Sequence, residues 1–320
     1  MSRASVLHAS TVLARSLPAF VLTVMAAIVA TTGMSASSTP AVRNGLIVFV
    51  SKRDGDAELF TIRPDGGGLR RLTRNRVADM CPAWSPGGRL LAFARARSRA
   101  PWGSDLFVMR ADGRGLRRVL RSPGSDNCPS WSPDGRRLAF HRGVMAVEPK
   151  DRVQDIFTVG VDGRGVRRLT TEGDSYKPSW SSGNRIAWHY RATLIYYNDI
   201  FTMKPDGSDR RRLTDSANND DPDWSPDGRR VLYAGQDGGD IFDRELFVVS
   251  GDGTGRVRVT EDEFWDWDPA WSPDGRWIVC QAVTKGRDYD LYVVRADGSG
   301  RRRLTSARAQ DFEPDWAPAR

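Results

Sequence analysis

Apolar residues in this chain fall in short runs bounded by turn-forming residues, and the runs recur in a fixed order. Residues 46–50, 90–94, 137–141, 185–189, 230–234 and 276–280 predict one set of six strands. Residues 58–62, 105–109, 155–159, 199–203, 245–249 and 290–294 predict a second set. Apolar and polar residues hardly alternate in segments such as Leu106-Phe107-Val108-Met109, the pattern of strands covered on both faces. After each member of the second set comes a turn such as Asp65-Gly66 or Asp112-Gly113, where Asp caps and Gly takes the positive φ. An Arg-rich segment follows, and then a strand carrying Pro-x-Trp.

The Pro-x-Trp phrase ends at Trp84, Trp131, Trp180, Trp224, Trp271 and Trp316, at intervals of 47, 49, 44, 47 and 45 residues. A unit of four short strands with this period cannot bury both of its faces alone, so copies must stack radially until a ring closes. The expected fold is an all-β, six-bladed β-propeller of four-stranded antiparallel blades over residues 44–320. The repeat starts on a second strand and ends on an inner strand, so the C-terminal strand must complete the first blade and remove the two open sheet edges. The six repeated Trp residues are expected in the core.

Ahead of the repeat, Arg3 and Arg15 precede an apolar run over residues 17–30 and then small residues around Ser35, Ala36 and Ser37. This is the layout of a secretory signal peptide over residues 1–36, with 37–43 as a linker. A retained anchor is the alternative for the same segment. After cleavage no stable membrane span is expected. The net charge is +8, or +6 without Arg3 and Arg15. Arginine gathers on one segment per repeat, including Arg70-Arg71, Arg117-Arg118 and Arg167-Arg168, where charge would protect an exposed outer edge. Basic residues spread around a rim, without interleaved stacking aromatics, do not make a nucleic-acid groove.

Repeats of the form Arg-Arg-Leu-Thr, then Asp-x-x-Pro-x-Trp-Ser-Pro-Asp-Gly-Arg-Arg, then Asp-x-Phe-x-Met and Asp-Gly resemble the WD-like propeller repeats of the TolB family. The resemblance covers about residues 45–320, and residues 220–229 and 268–276 match the pattern well. The fourth repeat departs from it, with Ser181-Ser182-Gly183-Asn184 in place of the Pro-Asp-Gly turn. TolB proper also carries an α/β domain ahead of its propeller, and no segment of that size lies between the apolar run and the first strand. The resemblance implies an extracytoplasmic propeller, periplasmic or secreted.

Candidate chemistry lies on the face that holds the long connections between second and third strands, around residues 142–154, 191–198 and 235–244. Positions just before the repeated Pro form a ring there: Cys81, Cys128, Lys177, Asp221, Asp268 and Glu313. Two residues earlier come Asp79, Asp126, Ser175, Asn219, Asp266 and Asp311. Convergent carboxylates suit Ca²⁺, with Asp79, Asp126, Asp221, Asp268, Asp311 and Glu313 as ligands, or a cationic group of a partner; the alternative is turn capping by Asp. Cys81 and Cys128 are register-matched candidates for a disulfide if their Cα atoms approach within about 7 Å. Trp265 and Trp267, beside Asp266 and Asp268, suit sugar stacking or peptide anchoring, or else packing between blades. His141 and His189 share a register and are the only imidazoles after the apolar run. They are candidates for metal binding or proton transfer, or are held by neighbouring backbone groups. No Gly-x-Ser-x-Gly, His-Glu-x-x-His or P-loop motif occurs. The expectation is an exported, non-enzymatic, monomeric propeller with no resident cofactor, binding an envelope or extracellular protein, peptide or glycan through the loop-rich face. The rival is a metal-assisted lyase or hydrolase at the same mouth.

Overall fold

The computed structural model describes residues 44–98, 103–143, 153–191, 198–215, 218–237, 244–283, 288–306 and 309–318. The signal or anchor segment, the linker and most of the three long connections lie outside these residues. Among the described residues every regular element is a strand, and no helix is long and apolar enough to cross a membrane.

Six four-stranded antiparallel sheets make up the fold. Blade 1 is built from β1 (Asn44–Ser51), β2 (Glu58–Ile62), β3 (Arg70–Arg71) and the C-terminal β24 (Asp311–Pro318). Blade 2 runs β4 (Asp79–Trp84), β5 (Leu90–Ala96), β6 (Ser104–Arg110), β7 (Arg117–Leu120). Blade 3 runs β8 (Ser125–Trp131), β9 (Arg137–Gly143), β10 (Gln154–Gly160), β11 (Arg167–Arg168). Blade 4 runs β12 (Ser175–Trp180), β13 (Ile186–Arg191), β14 (Asn198–Met203), β15 (Arg211–Arg212). Blade 5 runs β16 (Asp220–Trp224), β17 (Arg230–Gly235), β18 (Glu245–Ser250), β19 (Val257–Arg258). Blade 6 runs β20 (Trp265–Trp271), β21 (Trp277–Val283), β22 (Asp290–Arg295), β23 (Arg302–Arg303). The innermost strands touch in the cycle β4, β8, β12, β16, β20, β24 and back to β4. Closure is made by β24, which pairs with β1 through Ile47 opposite Trp316 and Val50 opposite Phe312.

Hydrophobic burial lies between blades, not within them. Each repeated Trp packs on the blade that precedes it: Trp84 with Val48 and Leu59, Trp131 with Ala92 and Leu106, Trp316 with Val279 and Leu291. Both faces of a blade are therefore covered, which is why β2 is buried at every position.

The arginine-rich outer strands do more than shield an edge. The second Arg of each pair reaches the carboxylate that opens the third strand of its own blade, as in Arg168 to Asp155, Arg212 to Asp199 (2.7 Å) and Arg258 to Glu245 (2.8 Å). In every blade but blade 2, where Leu120 replaces the Thr, its Nε donates to the carbonyl of the Thr two residues on, and that Thr's Oγ1 accepts the N–H of the following third-strand residue, as in Arg212, Thr214 and Ile200. In blades 1, 2, 3 and 6 the first Arg crosses to the next blade. Arg70 donates to Asp112 O (2.9 Å), Arg117 to Val161 O (2.7 Å), Arg167 to Asp206 O (2.8 Å), and Arg302 closes the circle onto Pro64 O. The Arg-Arg-Leu-Thr phrase is thus a clasp within a blade and a link to its neighbour.

Candidate functional site

A proline has no N–H to give the ladder, so pairing between inner and second strands breaks at each Pro-x-Trp. Register shifts fall there in all six blades. The residue before each Pro takes the left-handed conformation: Cys81, Cys128, Lys177, Asp221, Asp268 and Glu313 all have φ between 44° and 54°. For non-glycine residues this costs on the order of 1–2 kcal/mol each. The outcome is a ring of six residues around the axis whose N–H groups have left the ladder.

What accepts those N–H groups depends on one position of the preceding blade's second strand. Where it is His141, His189 or Gln281, that side chain accepts, from Lys177 N (3.3 Å), Asp221 N (3.3 Å) and Glu313 N (3.1 Å). Where it is Ala234 or Val50, the ring carboxylate of that blade substitutes: Asp221 accepts from Asp268 N (3.3 Å) and Glu313 from Cys81 N (2.6 Å). At the remaining seam, where the position is Ala94, Cys81 and Cys128 are joined in a disulfide with their Cα atoms 4.7 Å apart. The two histidines therefore serve a register that glutamine also serves in this chain. His141→Gln is expected to melt within about 0.5 kcal/mol of the parent protein, whereas His141→Leu strands a buried N–H and loses about 1–3 kcal/mol. Equal melting of the two variants by circular dichroism contradicts this role.

Charge in the ring is organised by Lys177. Its Nζ lies 2.9 Å from Asp221 and also bonds Asp268. Burial opposes the ammonium, but Asp221, Asp268 and Glu313 more than offset it, so Lys177 is held well above the ordinary lysine range. Against the same burial, Lys177 holds Asp221 down to about 2. Burial first, then repulsion from Asp221, pushes Asp268 up to about 7. One layer deeper, Asp315 accepts Trp84 N (2.5 Å) and Asp223 accepts Trp271 N (2.9 Å), while Ser130 accepts Trp180 N (2.9 Å). Burial raises Asp223 to about 6 and Asp315 to about 7. These residues line an axial cavity of about 400 Å³.

A second cavity, of about 440 Å³, opens at the mouth over the Lys177 side of the ring and is lined by His141, Tyr176, His189, Arg191, Asn198 and Asp220. The Tyr176 ring stacks on His189 at 5.3 Å, meets His141 edge-on at 5.7 Å and carries Arg191 at 5.3 Å. Burial, then the charges of His189 and Lys177, depress His141 to about 3. Burial likewise lowers His189, against the pull of Asp220.

The other residues singled out from sequence lie elsewhere. Asp79, Asp126, Asp266 and Asp311 are fully buried, and each is held by an arginine: Arg95 (2.6 Å), Arg142 (2.6 Å), Arg301 (2.6 Å) and Arg53 (2.8 Å). These four carboxylates anchor arginines and do not join Asp221, Asp268 and Glu313 at Lys177. Among the described residues, the carboxylates that approach one another as metal ligands do are Glu245, Asp262 and Asp266, outside the ring and bound to Arg258 and Arg301. Trp265 and Trp267 are half-buried and meet edge-to-face at 6.2 Å; Trp267 also touches Tyr289 (5.7 Å) and Arg244 (5.7 Å). They form a shelf near the mouth and do not line the cavity. Tyr176 is not marked in the sequence, and Arg191 and Asn198 enter there only as the ends of one long connection on this face. The available signal was Lys177, a cation at a ring position that holds Cys, Asp or Glu in the other five repeats.

Comparison with known proteins places the chain in a family. Over 65 residues the chain is 35% identical to the Tol-Pal system protein TolB of Desulfosudis oleivorans, a match to 20% of this chain and 15% of that relative's length. Among solved structures, TolB from Acinetobacter baumannii superposes with a TM-score of 0.72 at 19% identity, covering 86% of this chain and 67% of that one. An oligogalacturonate lyase in complex with manganese superposes with a TM-score of 0.58 at 15% identity, covering 80% and 72%. Both superpositions are likenesses of fold. The family model for the TolB beta propeller domain matches residues 76–267, and the chain belongs to that family.

Proposed function

We propose that this protein is an exported, non-enzymatic propeller that binds a protein, peptide or glycan at the mouth built around Lys177, His141 and His189. The observation that carries the reading is the use made of the two imidazoles. Each spends its Nδ1 lone pair on a backbone N–H, so the remaining hydrogen of the neutral ring sits on Nε2. Such a ring offers neither a lone pair to a metal nor a base to a substrate, and acts as a donor lining a cavity. The half-buried Trp265 and Trp267 extend the same face with the kind of aromatic surface that anchors partners. An extracytoplasmic location is supported by the signal-like N-terminus, by family membership and by the Cys81–Cys128 bond, which persists best in an oxidising compartment.

The test is partner capture from an envelope extract by the protein and by a Trp265→Ala, Trp267→Ala variant, alongside metal analysis after dialysis. A partner retained by the parent and lost by the variant is expected. Identical partner lists remove the shelf from the binding surface. A stoichiometric transition metal that survives dialysis and disappears in His141→Ala overturns the non-enzymatic reading in favour of metal-assisted chemistry.

A further inference from the structure

Resting on the binding reading above, the cavity's own hydrogen-bond inventory narrows what it recognises. Its acceptors are largely occupied. Asp221 is taken by Lys177 and Asp268 N, Asp220 by Asn198 Nδ2 and Arg244, and Glu313 by Cys81 N. What remains is mostly donors. No described group accepts the Nε2 hydrogens of His141 and His189, although both rings line the cavity. Arg191, stacked over Tyr176, has no carboxylate partner among the described residues. One acceptor stands among them: Asn198 Oδ1, buried and unpartnered, its orientation set because Nδ2 faces Asp220.

Two imidazole N–H groups, a guanidinium and a single carbonyl oxygen match a carboxylate with an N–H beside it. We propose that this cavity captures the C-terminus of a partner polypeptide. The terminal carboxylate accepts from His141, His189 and Arg191, and the last amide N–H donates to Asn198 Oδ1. Charge-assisted bonds of this kind are about twice as strong as neutral ones, which favours the anion over a neutral amide. Burial keeps both imidazoles neutral at physiological pH, so the Arg191 guanidinium supplies the positive charge. An acidic sugar carries the same anion, but sugar sites commonly add an open aromatic face. Here the Tyr176 ring is covered by His189, His141 and Arg191, and Trp265 and Trp267 lie outside the lining.

Selection of a random tetrapeptide library with free C-termini against the full chain tests this, in parallel with the same library amidated. The expected result is enrichment of free-acid peptides whose affinity, read by fluorescence anisotropy, falls at least tenfold on amidation. It should fall at least tenfold again in Arg191→Met, a variant whose thermal melt should match the parent, and recover in part in Arg191→Lys. Equal binding of amidated peptides, no enrichment from either library, or affinity untouched by Arg191→Met each overturns the proposal. Displacement of the peptides by a free sugar acid at equal concentration overturns the choice of a polypeptide. If envelope partners are still captured by Arg191→Met, the carboxylate site fails while the broader binding reading stands.

Discussion

Deleting residues 311–320 is expected to abolish the cooperative thermal transition or to lower its midpoint by more than 15 °C, an estimate built on the loss of several buried groups at once. The segment supplies the whole of β24, the inner strand of blade 1. With it go the backbone ladder to β1, the buried Trp316 between blades 6 and 1, and the Asp311 carboxylate that holds Arg53. Truncating one buried Trp costs about 3–5 kcal/mol. Breaking one buried ion pair costs a similar amount, and whole domains have only about 5–15 kcal/mol to lose. Trp84 and Cys81 also lose the acceptors Asp315 and Glu313, so blade 2 is weakened from the opposite side of the gap. A milder Trp316→Ala variant should fold and lose about 3–5 kcal/mol in urea titration. A truncation that melts within a few degrees of the parent chain contradicts closure by β24.

The ring was legible because the repeat carries its own reason for existing. Pro breaks the ladder and Trp fills the gap to the previous blade, so the period counts blades directly. The phase of the termini made closure by the C-terminal strand readable in the same way. Membership of the mouth ring followed from register, as did the equivalence of His141 and His189. What register does not contain is which side chains meet across an axis. Lys177 stands in the string among two cysteines and three acidic counterparts, but its bonds to Asp221 and Asp268 link residues 44 and 91 positions away. Asp79 and Asp126 stand two residues before the ring and read in the string as further carboxylates of the mouth, yet Arg95 and Arg142 lie opposite them on the second strand and take their charge. The arginine clasp was read only as edge protection, because a sequence shows the donors and not the carbonyls they reach. The mouth cavity was invisible for the same reason, since Tyr176, Arg191 and Asn198 are ordinary strand residues until the fold gathers them.

Replacing Lys177 with Met is expected to destabilise the protein by about 3–5 kcal/mol at pH 7.5, the usual consequence of removing one partner from a buried charge cluster. The ammonium is the group toward which Asp221 and Asp268 converge, and Glu313 adds to its field. Without it three carboxylates share a largely buried mouth. The sign of the pH dependence follows. In the parent, Asp221 is depressed to about 2, so its contribution is present above the ordinary aspartate range and is lost only as pH falls toward 2. In the variant its neighbours push Asp221 upward with Asp268 and Glu313, so the folded state prefers these groups protonated. Stability is then greatest at acid pH and falls as pH rises through their elevated values. The penalty measured by urea unfolding should therefore be smaller at pH 5 than at pH 7.5 but should not vanish, because the Asp221–Lys177 pair of the parent is still ionised there. Calcium offers an independent readout: millimolar Ca²⁺ should raise the melting temperature of Lys177→Met, by entering the place the ammonium left, and leave the parent unchanged. Stabilisation of both proteins would mean that the ring accepts a metal beside Lys177. A variant as stable as the parent at pH 7.5 would remove Lys177 from its position as the keystone of the mouth.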